Sequence, residues 1–238
     1  MKYEKIVRAR FLDRPNRFIA KVEFEGEIID AHVKNTGRCK ELLVPGATVY
    51  LEDFRDNMRE RKLQFSLVGV EKQADNGKIL TINMDSQAPN KVVYESLKNG
   101  KIKLPGMDEI DFIKSEAKFG ESRLDFYVRD ISGNEGYIEV KGVTLENNGI
   151  ASFPDAPTVR GIKHLKELEG LKANGYNTYV IFVIQMEGMK WFEPNAERHP
   201  EFAEALKIAK VKGVCPMAYE CRVTAESLDI SGKIEVRV

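Results

Sequence analysis

The sequence predicts a two-domain α+β protein, with a small OB-like β-barrel at the N-terminus and an α/β domain with a mixed central sheet after it. Three observations carry this. Up to about Asp85 the chain is a series of short β-type runs separated by turn residues, with little helical periodicity. After Ala88-Pro89-Asn90 strands alternate with amphipathic helices. Thr178 to Ile184 is a continuous apolar, β-branched run, as expected of a central strand covered on both faces. Residues 1–85 are therefore assigned to the barrel and 86–238 to the second domain.

The barrel strands are read at Lys5 to Phe11, Phe18 to Phe24, Glu27 to Val33, Thr48 to Glu52, Gln64 to Val70 and Ile79 to Asn83. Glu25-Gly26 supplies a hairpin turn between the second and third, and Pro45-Gly46 and Asn76-Gly77 punctuate later ones. In the second domain a helix is expected from Asn90 to Lys98, ended by Asn99-Gly100 and followed by a loop containing Pro105-Gly106. Two strands flank Asp130 to Gly136, with Ser132-Gly133-Asn134 at the turn. The longest helical signal follows Phe153-Pro154-Asp155-Ala156-Pro157 and runs to Gly170 or slightly beyond. Val159, Ile162, Leu165 and Leu168 form its apolar stripe, Pro157 suits its first turn, and Asp155 is read as its N-cap, with a functional carboxylate as the second reading. Another helix, Glu201 to Lys212, stops at Gly213 and feeds a strand around Met217 to Val223. The tail from Ile230 to Val238 reads as an edge hairpin turning at Ser231-Gly232.

A chain of 238 residues can bury self-sufficient cores without disulfides. Its 31% charged and 42% hydrophobic residues fit a folded globular protein rather than a disordered one. No apolar run reaches the length of a membrane span, and Met1 to Ile6 lack the apolar core of a signal peptide, so a cytoplasmic protein with no membrane partner is expected. Cys39, Cys215 and Cys221 form no CxxC pair, which argues against a disulfide framework or a cysteine zinc site; they are read as reduced and structural. Lys+Arg and Asp+Glu both number 37, so the molecule as a whole lacks the field of a non-specific nucleic-acid binder. Any such contact must come from a local patch. The best candidate is N-terminal, where Lys2, Lys5, Arg8, Arg10, Arg14, Arg17 and Lys21 outnumber Glu4 and Asp13. Glu23, Glu25 and Glu27 support the competing reading of a balanced, solvated strand face.

The chemistry concentrates between Asp125 and Lys141. Side chains alternate along a strand, so Glu139 and Lys141, separated by Val140, project from one face. A hairpin across Ser132-Gly133 brings Asp125 to the same pocket as Glu139, and two oxygen ligands converge. Mg²⁺ or Mn²⁺ needs little more than two carboxylates, a main-chain carbonyl such as that of Val140, water and substrate phosphate. Such an ion polarises a phosphodiester and acidifies water, while Lys141 orients that water or stabilises developing charge. Glu116, on the element before the Asp125 strand, adds a further candidate carboxylate.

The spacing Asp-x(13)-Glu-x-Lys matches the PD-(D/E)XK nuclease superfamily, although the short pattern alone is equally compatible with a surface Glu–Lys pair on a half-buried strand. Longer segments are more specific: Glu116 to Phe126, Tyr137 to Leu145, and Phe153 to Leu165. Arg17-Phe18, His32 to Arg38 and Leu42 to Gly46 agree in the N-terminal half. Together they closely resemble the sugar fermentation stimulation protein family over nearly the whole chain. That resemblance implies an OB-like domain joined to a PD-(D/E)XK nuclease-like domain, DNA binding, and a link to sugar-utilisation genes. Two positions depart from the family pattern: Lys34 stands where proline usually precedes Asn-Thr-Gly, and His199-Pro200 where an acidic residue before proline is more typical.

Arg160 and His164, four apart on one helix face, are candidates to meet phosphate beside the metal; a solvated face is the plainer reading, and the resemblance tips the choice. Arg17, with His32, Asn35, Thr36, Gly37 and Arg38 in a polar turn between barrel strands, forms a second candidate nucleic-acid contact. The freedom of Asn35 and Gly37 to turn explains those two residues but not Arg38. Trp191 and His199 are assigned to structure and Phe182 to the core. The leading expectation is a Mg²⁺- or Mn²⁺-dependent nuclease acting on nucleic acid, DNA first, with a homo-oligomer left open. The alternatives are a non-catalytic DNA-binding regulator that keeps a nuclease fold, and a metal-dependent metabolite enzyme.

Overall fold

The short β-type runs of the N-terminal part form β1 (Ile6–Asn16), β2 (Ile19–Phe24), β3 (Glu27–Val33), β4 (Thr48–Asp53), β5 (Phe65–Gln73) and β6 (Ile79–Asn83). The structure is a computed structural model; it describes every residue except Thr36, Arg38, Asp75, Asn76, Gly120 and Glu121, and only the backbone of Ser122. The chain forms two units. The first comprises Met1–Ala88, Gln185–Glu187 and Cys221–Asp229, and the second Pro89–Ile184, Gly188–Glu220 and Ile230–Val238.

In the first unit the sheet order is β3-β2-β1-β4-β5-β6, and β3 also pairs with β5, closing five strands into the expected OB-type barrel. Closure is parallel, through His32↔Ser66 and Val33↔Leu67. β1 runs past the expected end at Phe11 because it serves two partners: Ile6 to Arg10 pair with β4, and the segment to Asn16 pairs with β2 through register shifts that accommodate Pro15. β5 is long for the same reason, since Ser66 and Leu67 meet β3 while Gly69 to Gln73 meet β6. Glu25 and Gly26 both adopt positive φ, as a two-residue turn between β2 and β3 requires. Ala20, Val22, Ala31, Val33, Val49, Leu51 and Leu67 fill the core.

Lys34, the departure from the family's proline, occupies a largely buried charge cluster. Its Nζ lies 2.9 Å from Glu52 and 3.1 Å from Asp85. The Tyr3 hydroxyl donates to Asp85 (3.4 Å) and accepts from the Asn83 amide (2.8 Å). Burial first, and then the Asp85 charge, push the Tyr3 phenol well above its ordinary range. Removing the cation strands two carboxylates away from water, so Lys34→Met is expected to cost about 3–5 kcal/mol in urea unfolding of the full chain. A loss below about 1 kcal/mol, the exposed-pair range, would mean that solvent screens the trio.

The second unit is built on one sheet in the order β10-β11-β13-β15-β14-β12-β9-β8-β7. Its strands are β7 (Ile110–Phe119), β8 (Ser122–Asp130), β9 (Glu135–Val143), β10 (Leu145–Asn147), β11 (Ile150–Phe153), β12 (Asn177–Ile184), β13 (Trp191–Pro194), β14 (Cys215–Val223) and β15 (Leu228–Val236). β9 is antiparallel to β8 and parallel to β12, making the sheet mixed. Tyr179 to Ile184 are all buried, as expected of a central strand. The β8–β9 turn is organised by the buried Asp130, whose carboxylate accepts from the N–H groups of Ser132, Asn134 and Asp108.

Helices α1 (Ala88–Lys98), α2 (Val159–Ala173) and α3 (Pro200–Val211) lie where helical patterning was read. Three details differ. The α2 N-cap is Thr158, whose side chain accepts from the Gly161 N–H at 3.0 Å, so Asp155 is not the cap and Pro157 precedes the helix. The buried side of α2 is Gly161, His164, Leu165, Leu168 and Leu171, whereas Val159 is 83% exposed and leaves the expected stripe. The tail is not an edge hairpin. β15 continues straight through Ser231-Gly232 and sits between β13 and β14, where Ser231 Oγ donates to the Glu220 carbonyl and Gly232 has no positive φ to turn the chain. Among the described residues no disulfide joins any of the three cysteines, and no helix is long and apolar enough to cross a membrane.

Candidate functional site

The β8–β9 ladder runs from Arg129↔Glu135 to Phe126↔Ile138, so the next position on each strand, Asp125 and Glu139, falls on the opposite sheet face from Phe126 and Ile138. There the Asp125 side chain takes over from the main chain: its Oδ2 accepts the Val140 N–H at 2.7 Å. Its Oδ1 accepts from the Asn90 amide on α1, also at 2.7 Å. Both oxygens are thus fixed in direction.

Glu139 is held differently. Its Oε1 accepts from Lys141 Nζ at 2.5 Å and is met by Nδ1 of His164, which α2 lays over the strand. His164 Nε2 accepts from Arg160 Nε at 3.3 Å. With a proton on Nδ1 and none on Nε2 the ring satisfies both bonds, leaving the 3.4 Å approach of Lys141 to Nδ1 as a contact only. The second oxygen, Oε2, is buried on a side chain only 4% exposed and has no hydrogen-bond partner among the described residues.

The two carboxyls respond oppositely to this surrounding. Burial, and then the neighbouring Glu139 charge, raise Asp125 above its ordinary range, against the opposing bonds from Val140 and Asn90. Burial also works against ionisation of Glu139, but the His164 bond and the Lys141 charge together outweigh it and hold that carboxyl low. At neutral pH an ionised, buried Glu139 therefore stands beside an Asp125 whose own ionisation is opposed.

An oxygen with no partner in a buried, doubly acidic pocket fits a hard cation. Leaving Oε2 bare forfeits its hydration. Among the described residues no group of three or more His, Cys, Asp or Glu side chains is arranged to hold a metal, so an ion here would draw on Asp125 and Glu139 and complete its shell with main-chain oxygen, water or substrate. Mg²⁺, which retains several waters, binds in that way, whereas structural zinc takes four protein ligands.

The structure gathers only part of the expected set. Asp125, Glu139, Lys141 and His164 come together, with Arg160 one bond further out. Glu116 does not join them: its backbone is left-handed (φ 52°), its side chain is exposed, and it pairs with Arg123 at 2.8 Å. In the barrel, His32 belongs to β3 rather than to the turn after it and is half-buried; burial, then the positive Arg61 and Lys34, lower its pKa. Arg17 is exposed and stacks 4.6 Å from the Phe18 centroid. Asn35 spends its side chain on the Gly37 N–H, and its carbonyl accepts from Arg14 (2.7 Å), which also reaches the Gly37 carbonyl. Arg38 and Thr36 lie outside the described residues. The basic N-terminal patch is largely neutralised, through Lys5–Asp53, Arg8–Glu71, Arg10–Glu23 and Lys21–Asp30.

Asn90 was not among the sequence candidates. Its only signal is its place at the start of a helix that the sheet topology brings to Asp125. His199 is structural as expected, accepting from the Thr158 N–H at 3.3 Å.

The sequence matches two family models, "SfsA N-terminal OB domain" over residues 12–81 and "Sugar fermentation stimulation protein RE domain" over residues 87–227. Among curated relatives, the sugar fermentation stimulation protein homolog of Clostridium beijerinckii is 50% identical over 236 residues, covering 99% of both chains. That of Ruminiclostridium cellulolyticum is 47% identical over 238 residues and covers all of both. A solved structure of Pyrococcus furiosus SfsA in complex with Ca²⁺ superposes with a TM-score of 0.85 at 29% identity, covering 100% of this chain and 98% of that one.

Proposed function

The chain belongs to the sugar fermentation stimulation protein family, and from that premise we propose that it is a nucleic-acid-binding, divalent-metal-dependent nuclease working in the cytoplasm, with Asp125 and Glu139 as the metal ligands. The observation that carries this reading is the partnerless, buried Glu139 Oε2 beside Asp125 and Lys141. The Ca²⁺ complex of the Pyrococcus furiosus relative supports a divalent ion in the family. We take Mg²⁺ or Mn²⁺ as the working ion, DNA as the first substrate to test, and residues 1–85 as a barrel that helps hold the strand.

A bound Mg²⁺ or Mn²⁺ would supply Lewis-acid polarisation of the scissile phosphate and a more acidic water. The protein's own groups prepare the site. Asn90 and the Val140 N–H aim the Asp125 oxygens. His164 and Lys141 keep Glu139 ionised, ready to act as a ligand. Lys141, 13% exposed, keeps its ammonium where a phosphate entering the pocket meets it, and there it stabilises charge developing on phosphate oxygen. Arg160, exposed on α2, extends the positive lining outward.

The test is to incubate the purified protein with single- and double-stranded DNA and RNA, with Mg²⁺ or Mn²⁺, beside Asp125→Ala and Glu139→Ala. Metal-dependent cleavage that disappears in both variants is expected. Salt-sensitive binding without cleavage in any metal would instead identify a regulator that keeps the fold for recognition.

A further inference from the structure

The sheet face that carries Asp125 and Glu139 continues past them. Tyr127 and Tyr137 lie two residues along β8 and β9, about 7 Å from the carboxylate positions on the same side. They are paired with each other across the ladder, and Lys114 on β7 is paired with Tyr127. A hollow of ≈ 520 Å³ opens here, lined among others by Phe112, Lys114, Lys118, Tyr127 and Tyr137.

The rings form a connected series. Phe112 meets Tyr127 at 6.1 Å, Tyr127 meets Tyr137 at 5.3 Å, and Tyr137 meets Tyr176 at 5.3 Å, each edge to face. Phe112 is 44% exposed, and Tyr127, Tyr137 and Tyr176 are half-buried. An aromatic series in a core would be covered; this one is open. Its charge is equally specific. Arg123 and Arg129 are paired with Glu116 and Asp111. Among the described residues Lys114 and Lys118 have no carboxylate partner. Glu116 also lines the hollow but is neutralised by Arg123.

Open aromatic rings beside ammonium groups that pair with no carboxylate among the described residues are complementary to one ligand above others: a flexible polyanion with exposed, stackable bases. We infer that this face is the substrate track of the protein, on which unpaired bases of a single-stranded nucleic acid stack against Phe112, Tyr127 and Tyr137. Its phosphates run along Lys114 and Lys118, which stand on either side of the level of Asp125 and Glu139 on the sheet. The inference rests on the nuclease reading above and gives it a substrate class. Duplex bases are already stacked on one another and present no faces to the rings, so the track selects single strands or frayed ends. Stacking is tolerant of base identity, so little sequence preference is expected.

The full-length protein, held in Ca²⁺, is titrated into fluorescent single-stranded DNA, a duplex of the same sequence, and a single strand whose central nucleotides are abasic. The intact single strand should bind at least tenfold more tightly than the duplex. Base–aromatic stacking predicts that the abasic strand loses roughly 5- to 150-fold, with no change to the protein. Phe112→Ala and Lys114→Ser, both at exposed positions, should weaken intact single strands while leaving the melting temperature unchanged. Equal binding of intact and abasic strands, or wild-type affinity in both variants, would overturn the track even if Mg²⁺-dependent cleavage of duplex is seen. Base-dependent single-strand binding without cleavage in any metal would uphold the track and remove the nuclease reading.

Discussion

Asp125→Asn is expected to make the metal-free protein more stable at neutral pH while abolishing its response to divalent ions. Burial and the adjacent Glu139 raise the Asp125 pKa. A carboxyl whose folded pKa lies above its unfolded value favours the fold at low pH, and that contribution is lost as pH rises through the folded value. At pH 7 the metal-free fold therefore bears the cost of a second buried negative charge. Asparagine removes the charge and keeps the geometry: its oxygen accepts the Val140 N–H, and its amide donates to Asn90 once that side chain turns over. The melting temperature of Asp125→Asn should rise at pH 7 and depend less on pH than wild type. Saturating Mg²⁺ should stabilise wild type by about 2.7 kcal/mol at a hundredfold excess over Kd, and the variant not at all. Losing several kcal/mol of charge stabilisation at phosphate corresponds to a cleavage rate lower by roughly 10³-fold. A variant no more stable than wild type without metal would mean that the carboxylate pair is not strained.

Lys141→Met should act in the opposite sense on stability. Lys141 and His164 are what offset the burial of Glu139. With the ammonium gone, a carboxylate only 4% exposed retains a single partner, and breaking such a buried pair costs about 3–5 kcal/mol. A divalent ion restores positive charge to the same pocket, so Mg²⁺ should recover much of that loss and bind no more weakly than to wild type. Cleavage should still fall by about 10²- to 10³-fold, the usual effect of removing one group that stabilises developing charge. Melting curves with and without Mg²⁺, together with single-turnover cleavage, separate the two effects. Full activity in a metal-rescued Lys141→Met would strip Lys141 of its role at the phosphate.

Much of this architecture was readable in the sequence. Glu27–Val33 and Ile79–Asn83 appear with the bounds expected of them, the first because Ile29, Ala31 and Val33 alternate with more exposed neighbours and leave its register little freedom. The same alternation placed Glu139 and Lys141 on one face. β7 escaped because, as an edge strand, it carries few buried side chains: only Ala117 is buried along its length. β10 and β11 escaped although Asn148-Gly149 is a strong hairpin signal, since the flanking strands are only three and four residues long.

The site was legible within a strand and opaque between elements. Local spacing cannot reveal that His164 turns inward to Glu139, or that Asn90 reaches Asp125, because only the sheet order brings those elements together. Glu116 shows the converse. By strand periodicity it belongs with Asp125, and a left-handed backbone carries it out to Arg123. The basic N-terminal run was ambiguous for a third reason, since its partners Asp53 and Glu71 come from strands far along the chain.

The most direct measurement is a calorimetric titration of metal-free protein with Mn²⁺, carried out on wild type, Asp125→Asn and Glu139→Gln. One ion per chain in wild type and none in either variant is the predicted result, because the proposed site draws on both the bare Oε2 of Glu139 and the Asp125 carboxylate. Undiminished binding in both variants, or none in folded wild type, would contradict it.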